Sequence, residues 1–554
     1  MRCSLVATVV AVLLVPPLTG QTARPLSPET RIDTLLGRGA VHYYVADLGG
    51  GSSLALTVTQ QGVDVVVEVL DSRDSVLQSI DSPNGRNGPE PVEIFASRRS
   101  RYRIRVRPFD DREPEGRYTL AVSAWRDAHA TTALLAGRKL ARDSASAWLR
   151  AHSASLDSSL APFEALARRV NVIGLGEATH GSREFGDVRL RLTRHLVERL
   201  GYRIIAIENS ASRLALLDRY TRGQVTSQDS VTRVIESGWI GRRALRELAR
   251  WLRQWNAAHP TDVVELVGLD PQDGELARRD LRLLITRAYP EVLARYGAVE
   301  REIAAADSQT WVFGNSNVDS SARHFLQELN ARLNADLPLL RRLFDSSLVA
   351  SAVRAAREFF QFADFNASDA GWQRSRDWHM TSNLFDAMDR RPGPKAVYWA
   401  HNAHVAAPPD RSPGSRPMGA WLREALRCDY GAVALAFDAG GFVAQIPNDL
   451  EDDLAVSTLP VAPDETIEGV LRTVRPGATI ATWRCEDRAA APSWLLQPQR
   501  MHWVGALYRP GTNPSESFRP FRLTDDFDGV VFFPRVAADD VFTDRPRIPA
   551  RAPR

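Results

Sequence analysis

Four stretches of this chain are apolar at nearly every position, and each runs straight into ionisable residues. They are Asn171–Leu175, Arg203–Ile207, Val263–Leu269 and Ala396–Ala400. A strand with one wet face alternates apolar and polar side chains, so a run without alternation fits a strand covered on both faces. Helical sequence lies between the runs, and strands alternating with helices build a parallel sheet through βαβ crossovers. The expected fold is therefore α/β, a mostly parallel sheet flanked by helices, over about 130–540. Helices are expected over Lys139–Leu149, Leu156–Ala167 and Arg183–Leu200, and further strands over Gly431–Phe437, Gly441–Gln445 and Asp528–Phe533. The stretch 276–389 has helical periodicity and few strand signals, which predicts a large helical insertion able to cover a cleft.

Parallel strands carry their ends to one edge, and open α/β sheets bind ligands outside the carboxyl ends of their strands. The first run leads into Glu177 and His180, the second into Glu208, the third into Asp270 and the fourth into His401 and His404. Chance places one charged group behind a strand; charged groups behind all four argue for a site. Imidazole exchanges a proton near neutral pH, so His180, in the turn before a helix, is the candidate base that activates water. Glu177 either orients His180 or holds the other end of that water. Arg189 carries a fixed charge suited to a developing oxyanion, with an ion pair to Glu208 as the structural alternative. Asp270, Asn402 and Glu184 complete the expected site as substrate-binding residues; for Asp270 the plain alternative is a helix cap or a loop ion pair, and for Glu184 a helix-surface charge. No Gly-x-Ser-x-Gly nucleophile elbow occurs in the chain.

The order Gly176–Gly181, Arg183–Phe185, Arg189, Gly201–Glu208 and Trp399–His404 resembles the erythromycin esterase family. Weaker support comes from Gly268–Asp270, Arg376–Asn383, Ala434–Phe442 and Asp526–Gly529. The resemblance spans about 155–535 and implies hydrolysis of a carboxylic ester or lactone, best known for macrolide rings and antibiotic resistance. It implies His180 as the essential histidine, with Glu177, Arg189, Glu208, His401 and His404 around it and no covalent serine or cofactor. The expected mechanism has His180 take a proton from a water held between it and Glu177, with Arg189, joined by His401 or His404, meeting the oxyanion and a histidine protonating the leaving alkoxide. The antibiotic-inactivating members are cytoplasmic and lack an N-terminal β domain, so the macrolide substrate does not transfer automatically.

Two other readings of the same residues stay open. Three histidines and two glutamates are acceptable ligands for zinc or a related ion, which would make a metal-dependent hydrolase or peptidase. His-x-x-His is a weak signal and no His-Glu-x-x-His helix is present, so the site residues are assigned without a metal. A non-catalytic binding protein is the third reading.

The N-terminal part has a different period. From about 35 to 126, short β-branched runs such as Leu54–Val58, Asp64–Leu70, Tyr102–Val106 and Tyr118–Val122 are separated by Gly, Pro and Asn clusters, which predicts an all-β sandwich. It resembles a prepeptidase C-terminal type domain, read as an accessory module that binds glycan or protein, or as a structural cap. The acidic run Asp110–Glu115 reads as a solvated loop, with calcium binding as the alternative. Ahead of the sandwich, Arg2, the apolar run Leu5–Val15 and the small residues up to Ala23 follow the order of a secretory signal over 1–23. The run is too short to span a bilayer, so no membrane span is expected after cleavage and the protein is expected in the periplasm or outside the cell. Export would leave Cys428 and Cys485, as a pair or as buried thiols. With 70 Lys+Arg against 67 Asp+Glu the chain carries +3, too weak a field to expect a nucleic-acid partner. Residues 541–554, rich in Pro and Arg, read as a disordered tail.

Overall fold

The computed structural model describes residues 23–82, 84–225, 231–232, 235, 242–271, 278–313, 318–367, 372–409, 416–446 and 454–539, without the side chains of 306–313, 367 and 372–375. The expected leader (apart from Ala23) and the expected tail lie outside the described residues. The chain forms two compact units, residues 1–140 and 141–554, and the division falls within the helix Ala128–Ala151.

The first unit is a sandwich of two sheets. One contains, in spatial order, Arg24–Pro25, His42–Leu48, Ser100–Pro108, Val65–Leu70 and Val76–Ile80; the other contains Arg31–Leu36, Gly116–Arg126, Ser53–Gln61 and Asn87–Phe95. Alternation does the sorting. Leu54, Leu56 and Val58 turn inward with Leu120, Ile104 and Val106 to make one apolar core, and the residues between them face out. Val65–Leu70 departs from the rule, being buried throughout. Its one charge, Glu68, is covered by Arg105 and by Arg107 at 3.2 Å. In the acidic run, Glu113 accepts from the Asp64 amide at 3.1 Å and from Arg86 at 2.9 Å, so its carboxylate is committed to the loop.

The second unit is the expected α/β body. Its central strands are β1 (Val172–Leu175), β2 (Ile204–Ser210), β3 (Glu265–Asp270), β4 (Ala396–Trp399), β5 (Tyr430–Gln445) and β6 (Gly529–Val536). The sheet order is Ser153–Ser155, Thr479–Thr482, β6, β5, β1, β4, β2, β3, with Leu454–Leu459 added on β5. The run from β6 to β3 is parallel throughout. Thr479–Thr482 is antiparallel to β6, and Leu454–Leu459 to β5, which makes the whole sheet mixed. The expected strands Gly431–Phe437 and Gly441–Gln445 are one continuous strand, because both sections pair along β6 or Leu454–Leu459 without an interruption. β1 and β4 are buried at every position, as their unbroken apolar sequence requires. One apolar cluster around Phe185, Leu192 and Trp399 and another around Met380, Tyr398 and Phe532 contain the buried side chains of the strands.

The insertion is helical, as expected. The helices Arg278–Ala288, Leu293–Phe313, Ser320–Ala335, Leu337–Leu343 and Ser346–Ala367 pack around a core of their own that includes Tyr296, Phe325, Leu329 and Phe359. The last helix of the insertion, Trp372–Asp389, differs: Met380 and Leu384 belong to the sheet's core, so it lies against the sheet. Cys428 and Cys485 form a disulfide across 57 residues of sequence, which closes the alternative of two free thiols.

Candidate active site

Register brings the site together. Leu175 on β1 pairs with Trp399 on β4, Trp399 pairs with Ile207 on β2, and Ile207 pairs with Gly268 on β3. The residues just beyond those level positions are Glu177, His401, Glu208 and Asp270. Four sequence-distant ends thus open on one edge of the sheet.

The turn between β1 and the helix α1 (Arg183–Leu200) is held too tightly for side chains at two positions. A Cβ on Gly176 would lie 2.0 Å from Asn402 Oδ1, and one on Gly181 would lie 2.4 Å from the Val443 carbonyl oxygen. Glycine permits both approaches. The turn therefore sits directly on its neighbours, and the His180 ring has a fixed origin. His180 Nδ1 lies 2.8 Å from Glu177 Oε1, a direct hydrogen bond. No water fits between them, which corrects the expectation that the two would share one; Glu177 orients the ring instead. An ionised carboxylate accepts only, so Nδ1 carries the proton and Nε2 the lone pair.

Arg189 meets Glu177 from the protein side. Phe185, Arg189, Leu192 and Leu196 lie on the buried stripe of α1, so folding carries a guanidinium into the core. Its Nη2 meets Glu177 Oε2 at 2.7 Å, and its plane lies over Trp399, 5.1 Å from the ring centre. Arg189 and Glu177 are both fully buried. Arg189 therefore cannot touch an ester, and its expected oxyanion role is corrected: it acts behind Glu177. Nor does it pair with Glu208.

Glu208 belongs to a second cluster that reaches in from the insertion. Arg376, on α2 (Trp372–Asp389), donates from Nη2 to Glu208 Oε1 at 2.7 Å and to Asp270 Oδ2 at 2.7 Å, and from Nε to Asp270 Oδ1 at 3.1 Å. The next residue, Asp377, binds His404 Nδ1 through Oδ1 at 2.7 Å. His404 Nε2 lies 3.2 Å from Glu208 Oε1 and 2.9 Å from Arg376 Nη1. The Arg376 contact is a hydrogen bond only if His404 is neutral, whereas the Glu208 contact suits an imidazolium. Three carboxylates around one guanidinium favour the second positive charge. Burial pulls the His404 pKa down, but Asp377 and Glu208 outweigh it and hold it at about 10. Burial likewise pushes Glu208 up, and the charges of His404 and Arg376 overcome it, leaving its carboxyl well below the usual range. Arg376 itself is desolvated, yet Asp270 and Glu208 raise its already high pKa.

His401 joins the two clusters. It caps α3 (Asn402–Val405), its Nδ1 accepting from the Ala403 amide at 3.2 Å, while its own amide donates to Glu208 Oε2 at 2.8 Å. With Nδ1 as acceptor the proton is on Nε2, which makes a long 3.4 Å contact to the Ala178 carbonyl. Burial, followed by the neighbouring His180, pushes its pKa down to about 3, so His401 is neutral. The His180 and His401 rings are 5.3 Å apart, and Trp503 packs edge-on to His401 at 4.7 Å. Solvent reaches this assembly at the imidazoles: the side chains of His180 and His404 are 9% and 12% exposed, while Glu177 has no exposure.

Six expected residues, His180, Glu177, Glu208, His401, His404 and Asp270, thus surround one sheet edge, with Arg189 behind them. The other two have different tasks. Asn402 donates to the Leu435 carbonyl at 2.9 Å and accepts from the Leu435 amide at 3.1 Å, so its amide is spent clasping β5 and is not a substrate contact. Glu184 accepts from the Ala537 amide at 2.8 Å and pins the segment after β6 onto the turn that carries His180. Arg376 and Asp377 were missed as site residues, although Arg376–Asn383 was part of the resemblance; an arginine beside an aspartate just before an apolar helix face was the available signal. His379 and His502 also have partners, Asp364 Oδ2 and the Phe437 carbonyl, both at 2.9 Å. Among the described residues, no group of three or more His, Cys, Asp or Glu is arranged to hold a metal ion. Trp251 and Trp255 pack against the core, whereas Trp378 is exposed beside Trp421.

A histidine oriented by a carboxylate at the strand ends of a mixed α/β sheet is compatible with the esterase-like hydrolase class that the comparisons return. The family model described as erythromycin esterase matches residues 197–536, more than half of the sequence, and the chain belongs to that family. The match begins after His180, so it covers the Glu208, Arg376 and His404 half of the site. Erythromycin esterase type II of Escherichia coli is 22% identical over 311 residues, covering 52% of this chain and 73% of that protein. A Bacillus cereus protein shares the fold with a TM-score of 0.57 at 19% identity, covering 72% of this chain and 99% of its own. An erythromycin esterase mutant in its open conformation superposes with a TM-score of 0.51 at 17% identity, covering 69% and 96%.

Proposed function

We propose that the α/β unit hydrolyses a carboxylic ester or lactone with His180 as the general base. The observation that carries this is the chain Arg189–Glu177–His180, in which a buried ion pair presents a carboxylate to Nδ1 and so puts the lone pair on Nε2. His180 Nε2 takes a proton from water as its oxygen attacks the carbonyl carbon. The His401 Nε2–H, whose contact to Ala178 is long, supplies a donor for the oxyanion, and the positive charges of His404 and Arg376 lower its energy. As the tetrahedral intermediate collapses, the carbon–oxygen bond to the leaving group breaks. The proton on His180 passes to the departing alkoxide, giving an acid and an alcohol. No covalent enzyme intermediate forms.

Export follows the same line of proposal. The apolar run Leu5–Val15 has the form of a secretory signal, and the Cys428–Cys485 disulfide suits an oxidising compartment. The test is purified protein against macrolides, simple lactones and p-nitrophenyl esters, beside a His180→Ala variant. Hydrolysis that falls ~10²–10⁴-fold in the variant supports the reading. Turnover unchanged in His180→Ala removes His180, and no hydrolysis across the panel removes the esterase.

A further inference from the structure

The insertion was expected to cover the cleft, yet its last helix reaches into the site with two consecutive charged side chains. Arg376 grips Glu208 and Asp270, while Asp377 serves a different purpose. Its Oδ1 lies 2.7 Å from His404 Nδ1 and accepts from the Met418 amide, also at 2.7 Å. Asp377 is 4% exposed, so both contacts are made away from bulk water. The Met418 bond fixes the carboxylate against the helix Met418–Leu426, and the fixed carboxylate in turn fixes the His404 ring. This is a second carboxylate–imidazole pair, built from different elements than Glu177–His180 and with the opposite result. Glu177 faces one side of its ring and leaves a base. Asp377 faces His404 Nδ1, and Nε2 has Glu208 Oε1 at 3.2 Å beside Arg376 Nη1 at 2.9 Å, so a carboxylate flanks each ring nitrogen.

We propose that Asp377 is a positioning residue that keeps His404 an imidazolium, so that the site has a fixed positive charge beside its neutral base. The proposal rests on the esterase reading for its catalytic meaning, though not for the charge state itself. The groups that face His404 are Asp377 and Arg376 from α2, Glu208 from β2, Asp270 from β3 through Arg376, and His401 on its own helix. Arg376 opposes a charge on His404, and the carboxylates favour it. Asp377 is the carboxylate whose side-chain hydrogen bond goes to His404, while its charge also acts on Arg376. Removing it tips the balance, because an opposite charge in contact shifts an imidazole by ~1–3 pH units. Fold is not the discriminating readout, since a purely structural aspartate would change stability and leave the titration alone.

The experiment is NMR titration of histidine-labelled full-length protein, with His404→Gln to assign the resonance, and kcat against pH on a p-nitrophenyl ester. In the wild type His404 should remain protonated through pH 8. In Asp377→Asn its titration should move down by ~1–3 pH units, and the alkaline limb of kcat should move with it while KM changes little. Asp377→Glu, which keeps the charge, should restore most of both. A His404 that is neutral at pH 7.5 in the folded wild type overturns the proposal without any variant. So does an Asp377→Asn protein whose His404 titrates as in the wild type. If no ester is cleaved, the esterase reading fails, while the titration still decides the role of Asp377.

Discussion

Replacing Glu177 with glutamine changes one atom and reverses the chemistry of His180. The carboxylate has a donor on each side: Oε2 meets Arg189 Nη2 at 2.7 Å, and Oε1 accepts from His180 Nδ1 at 2.8 Å. An amide has one accepting oxygen. Arg189 is fully buried and its Nε and Nη1 make no hydrogen bond among the described residues, so it claims that oxygen. The amide NH₂ is then turned toward His180, where it can only donate. Nδ1 must become the acceptor, the proton moves to Nε2, and the lone pair that removes a proton from water is gone. Loss of the orienting acid in a comparable serine-hydrolase arrangement costs ~10⁴ in kcat with the geometry intact. General-base contributions are typically ~10²–10⁴. We therefore expect Glu177→Gln to lower kcat ~10³–10⁴-fold with little change in KM, and to destabilise by ~1–3 kcal/mol through the weakened bond to a buried guanidinium. Steady-state hydrolysis of a responsive ester and urea unfolding measure the two effects. A folded Glu177→Gln protein within tenfold of wild-type kcat refutes the orientation argument.

Arg376→Leu leaves Glu208 and Asp270 buried without their cation, which should cost ~3–5 kcal/mol at neutral pH and less in acid, where the carboxylates take up protons; a urea midpoint equal to the wild type's contradicts the cluster. Stability of the α/β unit should peak near pH 6.5. His401, pushed down to about 3 from 6.5, refuses a proton that the unfolded chain accepts, so stability is lost as pH falls through that window. Glu208, held below its ordinary 4.5, adds to the acid loss. His404, held at about 10, contributes stability that is whole below 6.5 and is lost as pH rises toward 10. Urea midpoints that stay flat from pH 6.5 to 10 argue against a charged His404. Substituting both Cys428 and Cys485 by serine opens a loop closed across 57 residues and should cost ~2–4 kcal/mol, read by the same unfolding assay with and without reductant.

Much of the site was legible because strand ends are legible. The apolar runs before Glu177, Glu208, Asp270 and His401 reveal buried strands, and parallel pairing puts their ends together whatever the order of the strands. Other assignments needed distances. Glu177 at three residues from His180 was compatible with a shared water and with a direct bond; only the tight seating of Gly176 and Gly181 selects the direct bond. Arg189 reads as a cation near the site, while its place on the buried stripe of α1 sends it to the protein side of Glu177. Asn402 and Glu184 sit among site residues in sequence, yet their polar atoms are spent on the backbone of β5 and of Ala537. Arg376 and Asp377 were hidden for the opposite reason. They belong to an insertion more than 160 residues from Glu208, and nothing local distinguishes an Arg-Asp pair on a helix surface from one driven into a sheet edge.

The amino-acid sequence alone determined which residues could carry chemistry and on which edge they emerge, because period-two and unbroken apolar runs are local properties that fix strand faces and ends. Tertiary structure decided what each of those residues is. The same imidazole meets one carboxylate in His180, a helix-terminal amide in His401, and two carboxylates with a guanidinium in His404. Protonation state is set by charges and burial within a few ångströms, and those neighbours come from elements far apart in the chain. No reading of spacing could have supplied them.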